Sequence, residues 1–122
     1  MANAPYTSTL TLAAILALGG CVEIGHKPAP ADWPKLRVEI HKVPDRVVVD
    51  ECAKRIDVPP FVKACAVIEF DKNLCTVWAS SDFPDAAILK HELLHCEGRD
   101  HVGEDTLERA WASRKSIPRV SK

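Results

Sequence analysis

The chain has 122 residues, which is enough for one compact domain and too few for two of ordinary size. Hydrophobic residues make up 47% of it and charged residues 27%, proportions that are typical of a soluble globular protein. The formal net charge is −1 and we find no basic stripe, so the composition argues against a nucleic-acid partner.

The N-terminal 20 residues carry no charged side chain and include a short apolar run, LTLAAILAL. Because a helix needs about 20 apolar residues to span a bilayer, this run is typical of the hydrophobic region of an export signal. The two glycines that follow supply the small side chains that a signal peptidase accepts before Cys21. Residues 1–20 are therefore predicted to be a signal peptide.

The four residues LGGC that end at Cys21 resemble the lipobox of bacterial lipoproteins. The resemblance implies cleavage before Cys21, acylation of its thiol and a membrane-tethered mature protein. Val22 follows the cysteine, and in that family a residue other than Asp there favours the outer membrane of a Gram-negative cell, facing the periplasm. The n-region lacks Lys and Arg, which departs from the pattern, and an ordinary secretory signal is the alternative. Residues 21–34 are predicted to be a lipidated, proline-rich tether in which His26 is a solvated linker residue.

Three segments after the tether are predicted to be strands. Residues 36–43, LRVEIHKV, alternate apolar and polar side chains, which indicates a half-buried strand with His41 on its polar face. Residues 46–55 are ambiguous, because their valines favour a strand while the residues after them suit a short helix. Residues 64–70 and 74–79 flank a DKN turn and are predicted to form a hairpin.

Two helices are predicted in the C-terminal part of the chain. Residues 84–97 have high helix propensity, Asp85 complements the positive helix end, and Gly98 suits a left-handed C-terminal cap. Residues 104–114 form the second helix. Residues 35–122 are thus expected to be a single α+β domain, with a small, mostly antiparallel sheet packed on the first of these helices and a C-terminal helix.

The cysteine count also bears on the compartment. Setting Cys21 aside for the lipid leaves four cysteines, and an even number in a small exported domain is typical of two disulfides. Of the three possible pairings we favour Cys52–Cys65 and Cys75–Cys96, with free buried thiols in a reducing compartment as the alternative. The chain has no C-x-x-C pair, which argues against a cysteine zinc finger.

The sequence HELLHCEGRDH, which begins at His91, has the spacing of a metal site. His91 and His95 are four residues apart, so on a helix they project from one face and can bind one metal ion. Glu92 lies about 100° round the helix from His91, beside the metal, where its carboxylate can take a proton from water. Gly98 permits the change of direction that lets His101 supply a third ligand. Three histidines leave one position open, as in catalytic zinc sites.

The pattern H-E-x-x-H-x-x-G-x-x-H resembles the metzincin signature of zinc metallopeptidases at all five fixed positions. The resemblance implies one Zn²⁺ ion held by the three histidines, Glu92 as the general base, and cleavage of peptide or protein substrates. In zincins a sheet lies over the active-site helix and its edge strand binds the substrate, and residues 74–79 are the candidate for that strand. The chain lacks the methionine turn, because its only methionine is Met1, which favours zincins in general over metzincins proper.

Two alternatives to the exported, monomeric zinc metallopeptidase stay open. In one, the chain is a non-catalytic envelope lipoprotein whose small domain is stabilised by zinc. In the other, the histidine spacing resembles that of bacterial three-histidine endoribonucleases, although those have glycine where Glu92 stands and work in the cytoplasm. In the preferred interpretation, the partners are a peptide substrate and the membrane, reached through Cys21.

Overall fold

The structure is a computed structural model that describes residues 25–55, 58–114 and 117–120. The predicted signal peptide and Cys21 therefore lie outside the described residues. Within them the chain forms four strands and three helices, in the order β1 (Arg37–Val43), α1 (Asp45–Ala53), β2 (Ala64–Glu69), β3 (Leu74–Ser80), α2 (Ala86–Cys96), α3 (Thr106–Ser113) and β4 (Ile117–Val120). The predicted α+β class is confirmed. No helix in this part of the chain is long and apolar enough to cross a bilayer.

The ambiguous segment 46–55 folds as helix α1. Val48 and Cys52 are four residues apart and fully buried, so one face of the helix packs against the sheet. That burial outweighs the strand preference of the valines, since propensity is weaker than tertiary packing. The Asp45 carboxylate accepts hydrogen bonds from the Lys63 ammonium and the Ser80 hydroxyl, which lower its pKa and tie the start of the helix to the sheet.

The four strands lie in the order β1-β3-β2-β4. β2 pairs antiparallel with both β3 and β4, while β1 pairs parallel with β3, so the sheet is mixed and mostly antiparallel. The predicted hairpin is confirmed, with a 3₁₀ turn at Phe70–Lys72 and Asn73 in the left-handed conformation (φ 51°). The prediction that residues 74–79 form an edge strand is wrong. β3 pairs with its hairpin partner β2 on one side and, after a crossover, with β1 on the other, so it lies inside the sheet.

Helices cover both faces of the sheet, and each face has its own core. α1 packs with Val62, Cys65 and Val67 on one face. α2 and Leu107 of α3 pack on the other face, against alternate residues of β2 and β3, namely Ala64, Ala66, Ile68, Cys75, Val77 and Ala79. A disulfide ties a helix to the sheet on each face, as predicted: Cys52–Cys65 joins α1 to β2, and Cys75–Cys96 joins β3 to α2.

Strand β1 is present as predicted, but its apolar face is not buried. Val38 is 42% exposed and Ile40 is 44% exposed. These residues lie beside Cys75 and Val77 of β3, which places them on the face that α2 covers. β1 lies at the edge of the sheet, and the apolar alternation in its sequence did not reveal that position. His41 is on the opposite, polar face as predicted, and its ring stacks on that of Trp78 with the centroids 4.5 Å apart.

Residues 25–34, from the predicted tether, lie against the domain. The Trp33 indole N–H donates a hydrogen bond to the Cys96 carbonyl oxygen at 3.0 Å. The indole ring covers Gly98, where a Cβ atom would lie 2.3 Å from the ring. Gly98 has φ +85°, as predicted for the residue that follows the helix. The packed structure therefore includes Trp33, and this aromatic ring fixes the direction in which the chain leaves α2.

Candidate metal centre

Helix α2 positions the first two histidines of the motif. Its N-terminus is capped by the Asp85 side chain, which accepts hydrogen bonds from the backbone N–H groups of Ala87 and Ile88 at 2.8 and 3.3 Å. The Cys75–Cys96 disulfide fastens its C-terminal end to the sheet. His91 and His95 project one turn apart between these two attachments, with His95 fully buried and His91 half-buried. The motif therefore sits on a helix that is held at both ends.

The three predicted metal ligands converge. His91 Nε2 lies 3.1 Å from His95 Nε2 and 3.1 Å from His101 Nε2. In a tetrahedral zinc site with bonds of 2.0–2.1 Å, the ligand nitrogens are about 3.3 Å apart. The observed separations are close to that value. The residues present therefore fit a small divalent cation, and imidazole ligands suit zinc, copper, nickel and iron.

The hydrogen bonds of two rings fix which nitrogen faces the centre. His95 Nδ1 lies 2.9 Å from the Arg99 carbonyl oxygen, which can only accept, so Nδ1 carries the proton. His101 Nδ1 donates in the same way to Glu104 Oε2, 3.0 Å away. In the neutral rings the Nε2 atoms then present lone pairs to a common point. This is the tautomer that metal coordination requires.

His26 also belongs to the cluster, so its prediction as a solvated linker residue is wrong. The potential ligand atoms of His26, His91, His95 and His101 all lie within 4.8 Å of one another. The centroid of the His26 ring is 4.6 Å from that of His91 and 5.4 Å from that of His95. Burial, and then the neighbouring His101, lower the pKa of His26. No local pattern singled out His26, because an isolated bridge to His101 across the fold brings it here.

Glu92, the predicted general base, is fully buried. It follows His91 on α2 and is not one of the ligand atoms of the four-histidine cluster. Burial separates its carboxylate from bulk solvent.

Two further carboxylates shape the loop that carries His101. Asp100 is fully buried and accepts hydrogen bonds from the backbone N–H groups of His101 and Leu107, at 2.9 and 3.0 Å. Its role is to hold the loop against the start of α3. Glu104 orients the His101 ring through the hydrogen bond to Nδ1, a role that the sequence did not predict. Potential ligand atoms of Asp100, His101 and Glu104 also form a second group. Both of its carboxylates already accept hydrogen bonds, Asp100 from the backbone and Glu104 from the His101 ring.

The structure thus brings together all three predicted ligands and adds His26, while the four cysteines of the domain form disulfides on the two faces of the sheet. Comparison with known proteins assigns no function to this arrangement. The chain matches no family model, no curated protein and no solved structure.

Proposed function

We propose that the chain is a zinc-dependent hydrolase that cleaves peptide bonds, with Glu92 as its general base. The observation that carries the proposal is the convergence of three Nε2 atoms, from His91, His95 and His101, at separations that suit one zinc ion. Two of these rings have their Nε2 lone pairs fixed by hydrogen bonds at Nδ1, so the ligand set is organised before any metal arrives.

The chain's own residues supply the proton transfer and the positioning. Zinc in such a site supplies Lewis-acid polarisation of a carbonyl and of water. Glu92 accepts the proton of the attacking water and passes it to the departing amine, which needs a carboxylate held beside the metal rather than bound to it. Its rigid position on α2, one residue from His91, sets that placement. Burial of Glu92 keeps bulk water away from the transferred proton.

We assign the binding of an extended peptide to β1, in place of β3. β1 is an edge strand, so backbone groups along its outer side can pair with a substrate strand. The exposed Val38 and Ile40 lie on the α2 face of the sheet, where they can contact apolar side chains of the substrate.

The proposed location is the cell envelope. Two disulfides fit an exported protein, since they persist in oxidising compartments. Together with the signal-like residues 1–20 and the lipobox at Cys21, they support an outer-membrane lipoprotein that faces the periplasm. Mass spectrometry of the membrane fraction tests the anchor, because the mature chain must begin at an acylated Cys21.

The test of the hydrolase is Glu92→Gln in the purified, zinc-loaded protein. We expect unchanged zinc content and a loss of turnover of 10²-fold or more, since general acid–base catalysis contributes about 10²–10⁴-fold. Turnover is measured on a broad peptide library, and zinc by elemental analysis. Glu97→Gln is the matched control, because Glu97 is exposed and directly follows α2, the helix that carries Glu92. Wild-type turnover in Glu92→Gln would overturn the general-base role.

A second candidate is a non-catalytic envelope lipoprotein whose domain is stabilised by zinc. The observation that favours it is His26, because four protein ligands are typical of closed, structural zinc sites. This candidate predicts no turnover of any library peptide in any metal state, together with a marked loss of thermal stability when the metal is removed.

A further inference from the structure

We infer that His26 is a fourth ligand of the metal centre and that residues 25–28, here called the N-terminal strap, close the centre to substrate in this conformation. The ligand assignment requires only that the centre binds a metal, whereas the closing role rests on the proposed hydrolase function.

The position and environment of the His26 ring suit a metal ligand. One of its nitrogens lies within 4.8 Å of the ligand atoms of all three motif histidines. Its Nε2 atom is buried and has no hydrogen-bond partner in the described part of the chain. A buried polar atom without a partner is costly, and most such atoms in folded proteins are satisfied. Coordination of a shared metal ion by the His26 ring provides the missing interaction.

Backbone pairing on both sides of His26 holds its ring in the cluster. The His26–His101 bridge is antiparallel. It is bracketed by two hydrogen bonds, from the Lys27 N–H to the Asp100 carbonyl at 2.9 Å and from the Val102 N–H to the Gly25 carbonyl at 3.0 Å. The strap is therefore paired with the loop that supplies His101. The hydrogen bonds that shape the loop of His101 also fix the position of His26. The His26 ring is therefore not a surface side chain that approaches the cluster by chance.

The number of coordination positions of zinc leaves room for one more ligand. A tetrahedral zinc ion has four, and the motif histidines take three. A fourth imidazole from the strap fills the position that water or substrate needs for hydrolysis. The contacts that hold the strap include the two backbone hydrogen bonds and a hydrogen bond from Arg99 Nε to the Lys27 carbonyl oxygen at 3.4 Å. They also include an ion pair between Lys27 Nζ and Glu108 Oε1 at 2.7 Å, in which Glu108 is 47% exposed. These contacts can break while the disulfide-linked core stays folded, so His26 can leave the metal without unfolding of the domain.

The experiment compares the full mature chain with its His26→Ala and His26→Gln variants. Zinc affinity is measured by competition with a chelator, and the number of bound imidazoles by X-ray absorption of the zinc-loaded protein. We expect four imidazoles in the wild type and three in both variants, with affinity at least about tenfold lower, because even an outer-shell partner of a metal ligand is worth 10–100-fold. His41→Ala is the control, since His41 is the one histidine outside the cluster. Unchanged affinity and imidazole number in both His26 variants would overturn the assignment.

Turnover of the peptide library, measured with zinc at saturation, separates this inference from the proposed function. If the inference and the hydrolase proposal both hold, the His26 variants turn over peptides faster than the wild type. If the imidazole number falls from four to three but no form is active, the ligand assignment stands while the hydrolase and the closing role fall. If the wild type is active with three imidazoles and His26→Ala matches it, the hydrolase stands and the inference fails.

Discussion

Gly98 meets two separate structural requirements. Its φ of +85° lies in the left-handed region. This conformation is expected there, because α2 must end before the chain reaches His101. Its missing side chain also makes room for the Trp33 ring, which lies where a Cβ atom would be. The sequence pattern predicted the first requirement. The second depends on a residue far away along the chain, and only the packed structure reveals it.

We expect Gly98→Ala to destabilise the protein more than Gly103→Ala. Both glycines have positive φ, +85° and +88°, and each substitution costs about 1–2 kcal/mol for that reason. Only Gly98 has a neighbour in the way of a Cβ atom, so displacement of Trp33 adds about 1–3 kcal/mol there. Urea denaturation of the two variants measures the difference in the free energy of unfolding. Equal losses would show that the Trp33 contact is not tight.

The two disulfides have different consequences at the scale of the helices. Cys52–Cys65 fastens α1 to the face of the sheet that lies away from the metal centre. Cys75–Cys96 fastens α2, and Cys96 directly follows His95 of the histidine cluster. The second disulfide therefore holds the ligand helix at the point where its last turn meets the sheet, while the first contributes only to the stability of the fold.

We expect the double variant Cys75→Ala/Cys96→Ala to bind zinc more weakly than Cys52→Ala/Cys65→Ala. Each pair closes a loop of similar length, with sequence separations of 21 and 13, so each removal lowers the free energy of unfolding by about 2–4 kcal/mol. Only the loss of Cys75–Cys96 loosens the ligand helix. Urea denaturation of the metal-free proteins gives the stability, and chelator competition gives the zinc affinity. The same zinc affinity in both double variants contradicts this role.

At the scale of the whole molecule, the metal centre joins parts that are remote along the chain. The N-terminal strap contributes His26 to the candidate centre, α2 contributes His91 and His95, and the loop before α3 contributes His101. The domain is small and its edge strand leaves apolar side chains exposed, so its hydrophobic core is modest. For a domain of this kind, a metal ion that binds only the folded form is expected to add substantially to its stability.

Removal of the metal is expected to lower the melting temperature by more than about 10 °C. At a free zinc concentration 1,000 times the dissociation constant, binding adds about 4 kcal/mol, and 1 kcal/mol shifts the melting temperature of a domain of this size by roughly 4–8 °C. The measurement is calorimetry with and without chelator. His91→Ala serves as the control, because a chelator should not change its melting. An unchanged wild-type melting curve would exclude a metal-stabilised fold.

Features that depend on neighbours along the chain could be predicted from the order of the amino acids. The 91/95 spacing placed two imidazoles on one helix face, Gly98 ended that helix, and the DKN turn produced the β2–β3 hairpin. These features follow from contacts between residues a few positions apart, which periodicity and turn chemistry report directly. The two disulfides also paired as predicted, each between cysteines close to one another in sequence.

The positions of these parts relative to one another depend on packing across the whole fold. The crossover from β1 puts β3 inside the sheet. Burial makes the valine-rich segment that follows β1 fold as helix α1. Two backbone hydrogen bonds, from Lys27 to Asp100 and from Val102 to Gly25, bring His26 to the histidine cluster, and the loop conformation sets Glu104 against His101. The physical reason is the same in each case. Pairing between distant segments is selected by burial and hydrogen bonding across the whole fold, and no short stretch of sequence carries that information.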